Sequence, residues 1–312
     1  MINFDPNSIS TIVTHDNCAD GTSSALLLKD ALPHANVIFV QYGTESYLNL
    51  PATEGMLFCD ISPPADRADE FIKSGAYVLD HHRTAKYLVE SFGERGIFAD
   101  ENDDVGISGA VLAFREVWLP LKGKNASPEV LSWVEKFARL AGVRDTWFNK
   151  SPDWEDACVQ SNLLHFMPNT NWVRYGIDGL MGSWNEYWAI GRILLDKHMK
   201  SVQKAVRGGY FFTSDKGTRA LVFNSKSFTS DAAEFLGEKA DVVIGFGYEV
   251  EAGVGKLILS TRSHGEFDCS ALTRRMGGGG HSKAAGASLI VPAGENPYET
   301  VTRLLNTYEA SS

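Results

Sequence analysis

The first hundred residues alternate short apolar runs with segments of helical spacing. "STIVT" (10–14), "NVIFVQY" (36–42), "GMLFCD" (55–60) and "AYVLD" (76–80) are rich in β-branched and aromatic residues. Runs of this kind suit strands buried on both faces of a parallel sheet. Between the first two, "TSSALLLKDAL" (22–32) sets Ala25, Leu26, Leu27, Ala31 and Leu32 at spacings that one helix face can bury. "ISGAVLAFREVWLPL" predicts a helix that stops near Pro120. "SPEVLSWVEKFARLAGVRD" predicts another, with Ser127 as N-cap and Pro128 at the first helical position. The alternation predicts an α/β fold, a parallel sheet with helices on both faces.

A Trp- and Asn-rich stretch over 147–186 breaks this rhythm, and "EYWAIGRILLDKHMKSVQKAV" (186–206) then predicts a long amphipathic helix ending at "RGG". Beyond it the pattern changes to strands "GYFFTS", "TRALVFNS", "VVIGFGYEV" and "GKLILSTRS" around a helical "SDAAEFLGEKA". The expected layout is a large α/β domain over 1–185, a linker helix over 186–207 and a smaller α+β domain over 208–312. "GVGK" (253–256) lacks the full phosphate-loop pattern and reads as a hairpin turn.

Composition narrows the partners. No run approaches the roughly 18 to 20 apolar residues that span a bilayer, and "MINFDPNSIS" has neither a basic nor an apolar leader region. No membrane partner and a cytoplasmic location are expected. Cys18, Cys59, Cys158 and Cys269 form no C-x-x-C pair, which argues against a zinc ribbon and fits a reducing compartment. The net charge of −10 speaks against long duplex DNA, which calls for a basic footprint.

Candidate chemistry gathers where strands stop. "TIVT" runs into His15, Asp16, Asn17, Cys18, Ala19 and Asp20; "GMLFC" into Asp60; "AYVL" into Asp80, His81 and His82. Asp145 ends a helical run. Ligands of open α/β sheets bind beyond the carboxyl ends of the strands, and mixed carboxylate and imidazole sets suit Mn²⁺, Fe²⁺, Co²⁺ or Zn²⁺. Taken singly, each acid has a plainer reading: Asp16 and Asp20 as turn or N-cap residues, Asp60 as a turn residue, Asp145 as a helix-end charge. Co-occurrence at successive strand ends favours a site. Four glycines, Gly277 to Gly280, read either as a linker or as a side-chain-free loop whose N–H groups approach an anion. Arg262, Arg274, Arg275, His281 and Lys283 flank that loop. No serine has a convincing histidine and acid partner.

The "DHH" triplet, an Asp-Gly loop before it, an isolated Asp after it and "RRMGGGGHSKAAG" (274–286) together resemble the DHH phosphoesterases with their DHHA1 small domain. The resemblance spans nearly the whole chain, in the family's order. It implies a phosphohydrolase with two manganese ions, or Mg²⁺ or Co²⁺ in their place, and metal-activated water as nucleophile. Asp20, Asp60, His81 and Asp145 match the ligands of one ion, with Asp60 bridging to a second that His15 would bind. His82 would face the substrate phosphate and Asp80 would orient the neighbouring imidazole. Arg262, Gly278, Gly279, Gly280 and His281 match the substrate-reading end of the small domain. The chain departs from many relatives at Cys18, where they carry a further Asp; Cys18 or Asp16 would complete the second site, or the second ion is weakly held. The implied substrates are short oligonucleotides or small nucleotides, with a homodimer compatible. Hydrolysis of polyphosphate or pyrophosphate is the alternative within enzymes, and a nucleotide-sensing module with a decayed site the alternative outside them.

Overall fold

A computed structural model of the chain describes residues 4–100, 106–251 and 253–310, with all their side chains except those of Glu251 and His281. The chain divides into two compact units, Met1–Leu195 and Asp196–Ser312.

In the first unit the apolar runs become five strands: β1 (Thr11–His15), β2 (Asn36–Val40), β3 (Met56–Cys59), β4 (Tyr77–Asp80) and β5 (Gly96–Phe98). All neighbours are parallel, in the order β2-β1-β3-β4-β5. Successive side chains point to opposite faces, and the packing shows it. Ile12, Leu57, Cys59 and Leu79 face one core, whereas Val13, Phe58 and Val78 face the other.

The first core is covered by α1 (Ala19–Ala31) and by helices from the second half of the unit. Short helices α2 (Glu45–Leu48), α3 (Ala68–Lys73) and α4 (Lys86–Glu90) come from the β2–β5 connections, and Tyr47, Phe71 and Val89 from them close the second core. Helices on both faces of a parallel sheet are therefore present, as the alternation implies.

The segment expected to stop near Pro120 continues further. α5 (Gly109–Ala113) passes into a π-helical turn, Phe114–Trp118, and then into α6 (Leu119–Lys122), with Pro120 in its first turn. A proline has no N–H to donate and crowds the preceding turn; the widened turn upstream lets the helix run through it. α7 (Pro128–Asp145) begins as predicted, with the Ser127 side chain accepting from Val130 N. α8 (Trp154–Leu164) and α9 (Asn169–Gly182) follow, α9 kinked at Gly176. α10 runs from Trp184 to Arg207. Its early residues Trp184, Tyr187 and Ile190 pack on the first core, and Val202 and Val206 belong to a core of the second unit.

The second unit holds a mixed six-stranded sheet in the order β10-β11-β9-β8-β7-β6. Its elements are β6 (Tyr210–Thr213), β7 (Arg219–Phe223), α11 (Thr229–Leu236), β8 (Val242–Glu251), β9 (Val254–Arg262), α12 (Cys269–Arg274), β10 (Gly279–His281), β11 (Ala284–Pro292) and α13 (Pro297–Ala310). β7 and β8 are parallel and every other pair is antiparallel. "GVGK" lies where β8 turns into β9, with Gly253 at φ +80°, so the hairpin reading holds.

Candidate metal centre

The sheet order sets the carboxyl ends of β1, β3 and β4 side by side. His15 closes β1, Asp60 follows β3, and Asp80 closes β4, with His81 and His82 next in the chain. α1 leaves from beside β1 and carries Asp20 in its first turn, while α7 delivers Asp145 as its last residue.

These residues converge. His81 Nε2 lies 3.3 Å from Asp60 Oδ1, 3.4 Å from Asp145 Oδ2 and 3.9 Å from Asp20 Oδ2. On the far side of Asp60, His15 Nδ1 lies 3.8 Å from Asp60 Oδ2. His15, Cys18 and Asp60 can each offer a ligand atom within 4.8 Å of the others, as can Asp20, His81 and Asp145, and Asp60, His81 and His82. Asp16 stands apart. Its carboxylate accepts from Asn17 N at 2.9 Å and from Asn169 Nδ2 at 3.0 Å, so of the two residues considered for completing the second site it is Cys18 that joins the cluster.

The backbone is strained around the same point. Among the described residues, three non-glycine residues have left-handed φ: Asn17 at 52°, Asp60 at 62° and Trp147 at 55°. All three lie within two residues of a member of the cluster or belong to it. Such conformations cost about 1–3 kcal/mol each and persist where surrounding structure overdetermines them.

The electrostatics ask for cations. Asp20 and Asp60 are buried, and Asp145 faces them through His81. Burial first, and the Asp20 and Asp145 carboxylates next, push the Asp60 carboxyl well above the usual range. Asp60 Oδ2 and His15 Nε2 are buried without a hydrogen-bond partner, a situation that costs free energy unless something else binds there. Carboxylates and imidazoles, with one thiol, are a donor set that divalent transition-metal ions fit.

Asp20 is fixed by a segment that sequence reasoning did not connect to the site. Its Oδ1 accepts from Ser108 Oγ at 2.6 Å and Ala110 N at 3.0 Å, and its Oδ2 from Gly109 N at 2.7 Å. The start of α5 thus orients a carboxylate some ninety residues away in sequence. "ISGAV" does carry an N-cap signal, since a serine precedes an apolar helical run, but that signal says where a helix begins and not what it faces.

Asp80 serves His82. Its Oδ1 accepts from His82 Nδ1 at 2.7 Å, from His82 N at 3.0 Å and from His81 N at 2.8 Å, while Oδ2 accepts from Ser62 Oγ at 2.6 Å. Burial alone would raise Asp80, but the bonds and charge of His82 outweigh it and hold the carboxyl below its usual range. Burial likewise opposes protonation of His82, and the Asp80 carboxylate overcomes this and raises the imidazole above its ordinary value. With Nδ1 committed to Asp80, Nε2 is the nitrogen left to face a ligand. Tyr42, read from sequence only as the end of a strand, packs edge-on against His15 and His82. Its hydroxyl oxygen lies 3.4 Å from Ser62 N.

At Asp16 and Asn17, a cavity of about 590 Å³ is lined also by Phe39, His165, Phe166 and Asn169, among others. Phe166 is 58% exposed. Trp147, two residues beyond Asp145, carries the Arg144 guanidinium over its ring at 4.0 Å.

In the second unit, the glycine run is ordered. Gly277 N and Gly278 N donate to the carbonyls of Arg274 and Thr273, and Gly279–His281 form β10 against β11. A Cβ on Gly278 would lie 2.2 Å from Gly286 O, so close pairing with β11 is one reason for glycine there. A flexible linker is excluded; a loop with all its N–H groups open to an anion is not what folds either. Arg262 ends β9 opposite Ala284 of β11. Its Nε donates to Ser230 Oγ at 2.9 Å and its Nη1 to Thr261 O at 2.9 Å. The side chain of His281 lies outside the described residues.

No family model matches the chain, and no curated protein matches it by sequence. Solved structures do. The chain has the two-part fold of DHH-domain proteins. It is similar to a pGpG-specific phosphodiesterase, PggH, from Vibrio cholerae, with a TM-score of 0.59 and 16% identity over 97% of this chain and 100% of that one. It is similar to a DHH domain described as a member of a family of ribosomal proteins, with a TM-score of 0.62 and 14% identity over 98% and 87%. It is similar as well to the exonuclease RecJ bound to manganese, with a TM-score of 0.58 and 14% identity over 98% and 91%. At these identities the likeness is one of fold.

Proposed function

We propose that this protein is a metal-dependent phosphoesterase that hydrolyses phosphoester bonds of short oligonucleotides or small nucleotides. The observation that carries the reading is the convergence of His15, Cys18, Asp20, Asp60, His81 and Asp145 around an Asp60 oxygen that no protein group satisfies. Asp20, Asp60, His81 and Asp145 would hold one divalent ion, with His15 on the far side of Asp60 for a second. Mn²⁺ suits the carboxylate-rich first set, and RecJ, similar in fold, is described with manganese bound.

Such ions, when present, would neutralise phosphoryl charge and lower the pKa of water. The protein's own residues supply the rest. His82, held by Asp80 through Nδ1 and raised by it, would offer Nε2 to a phosphoryl oxygen on which charge grows. Ser62 and the two backbone N–H groups on Asp80 hold that imidazole in register. In the second unit, Arg262, Gly278, Gly279, Gly280 and His281 are the proposed substrate-binding residues, the Gly278 N–H already being given to Thr273 O. The net charge of −10 favours short substrates over long duplexes. The cavity at Asp16, with an aromatic wall of Phe39 and Phe166 and a polar edge of Asp16 and Asn169, suits a flat, amphipathic nucleobase. All four cysteines are unpaired, in keeping with a reducing compartment such as the cytoplasm.

The test is a product profile of manganese-loaded protein on pGpG, on longer oligonucleotides, on a nucleoside bisphosphate and on polyphosphate. Hydrolysis of the nucleotide substrates that disappears in Asp60→Ala supports the reading. Turnover of polyphosphate alone would overturn the nucleotide assignment, and binding of nucleotide without turnover under any divalent metal would overturn the enzyme.

A further inference from the structure

Cys18 occupies the N-cap position of α1, yet its side chain makes no capping hydrogen bond. Ser, Thr, Asp and Asn are the residues that stabilise such a position through their side-chain oxygens, so the thiol is not there for the helix. Its sulfur is turned to the metal centre instead, within 4.8 Å of the ligand atoms of His15 and Asp60, and 4.0 Å from Asp145 Oδ1. A further atom points at the same spot: Asp60 Oδ2, on a side chain 1% exposed, is buried with no hydrogen-bond partner, and His15 Nδ1 lies 3.8 Å from it.

We propose that Cys18, as a thiolate, is a ligand of the second cation, giving that ion a nitrogen, sulfur and oxygen donor set distinct from the carboxylate-rich set of the first. The inference rests on the two-ion reading above and concerns only which metal the second site takes. On binding, the Cys18 S–H bond is replaced by a sulfur–metal bond and the proton passes to solvent. Thiolate with imidazole selects Zn²⁺, Fe²⁺ or Co²⁺ over Mg²⁺ and Mn²⁺, whereas Asp20, Asp60, His81 and Asp145 suit harder ions. The centre is therefore unsymmetrical: a softer metal beside His15 and Cys18, a harder one beside His81 and Asp145.

Cobalt substitution reads the sulfur directly, without turnover. The metal-free full-length protein is titrated with Co²⁺ while bound metal is counted and the near-ultraviolet spectrum is recorded. Two ions bound, with a sulfur-to-cobalt charge-transfer band growing as the second site fills, is the expected result. Cys18→Ser is expected to retain the first ion and lose the band, and Cys18→Asp to lose the band while binding two Mn²⁺ ions more tightly than wild type. Retention of the first ion in Cys18→Ser shows that the site still folds. Two cobalt ions bound with no thiolate band, or a band that survives Cys18→Ser, overturns the proposal and leaves the two-ion reading standing. No cobalt bound at all overturns both.

Discussion

Gly109 lies against Asp60 so closely that a Cβ built on Gly109 would sit 2.4 Å from Asp60 Cβ and 2.9 Å from Asp20 Oδ2. Its N–H donates to that same Asp20 oxygen. One backbone position thus separates two buried carboxylates and orients one of them. Gly109→Ala is expected to push both acids out of register. A misplacement of about 1 Å can cost on the order of 100-fold in rate, so kcat should fall at least that far while far-ultraviolet circular dichroism stays unchanged. Metal counting on the purified variant checks the cause, because a loss of rate with both ions retained would point elsewhere.

Much of this centre is legible in the chain. His15, Asp20, Asp60, Asp80, His81 and His82 follow or end short β-rich runs, and a parallel sheet brings such ends to one edge. Ser108, Gly109 and Ser62 are not legible, because each acts on a residue distant in sequence and carries only a local signal of its own. The glycine run is half legible. Its order can be inferred from ordered neighbours, but the use of Gly277 and Gly278 as donors to α12 depends on how that helix ends. The continuation of α5 through Pro120 escapes the sequence because a π turn leaves no signature in hydrophobic spacing.

Asp80→Asn separates orientation from metal binding. The amide can still accept from the backbone N–H groups of His81 and His82, yet it no longer offers a charge to His82 Nδ1. General-acid or electrostatic help from a positioned side chain is worth roughly 10²–10⁴-fold, so kcat should drop within that range with both metals still bound. The imidazole should also titrate lower, since the carboxylate is what raises it. An NMR titration of the His82 ring checks the direction. An unshifted ring would remove Asp80 from its positioning role.

Chelation should destabilise the first unit. Burial first, and the Asp20 and Asp145 carboxylates next, push Asp60 strongly toward its protonated form, and a cation bound only to the folded state adds stability by mass action. At 100-fold excess over Kd that contribution is about 2.7 kcal/mol per site. Stripping the metal with a chelator should lower the melting temperature, and adding Mn²⁺ should restore it. Asp60→Asn replaces an acid that the metal-free fold forces toward its protonated form with a neutral amide, so its metal-free form should melt higher than the metal-free wild type. Equal melting temperatures with and without divalent ions would deny the cluster its cations.

Phe166→Ala tests the cavity at Asp16 as a base site. The ring is largely exposed, so its loss should leave the fold intact. Stacking of an aromatic on a base is worth about 1–3 kcal/mol. KM for a dinucleotide should therefore rise roughly 5- to 150-fold, while hydrolysis of a small aryl phosphodiester that has no base stays the same. A parallel loss on both substrates would assign Phe166 to packing.

The second unit offers a stability test free of the metals. Asp268 is the N-cap of α12, and its Oδ1 accepts from Ala271 N at 2.9 Å and Ser270 Oγ at 2.8 Å. The Ala271 N–H first, and the Ser270 hydroxyl next, hold its carboxyl below the usual range. A depressed acid stabilises the fold above its unfolded value, near 3.8, and that contribution is lost as pH falls through the lower folded value. Asp268→Ala should cost about 1 kcal/mol at pH 7, whereas Asp268→Asn, an equally good cap, should cost little. As the pH is taken below 3.8, wild type and Asp268→Ala should converge. Urea unfolding followed by amide exchange in α12 and in the Gly277–Gly278 turn, whose N–H groups bond to that helix, reads the effect where it arises. A cost in Asp268→Ala that persists undiminished in acid would mean that the side chain stabilises this end of the sheet by packing and not by its charge.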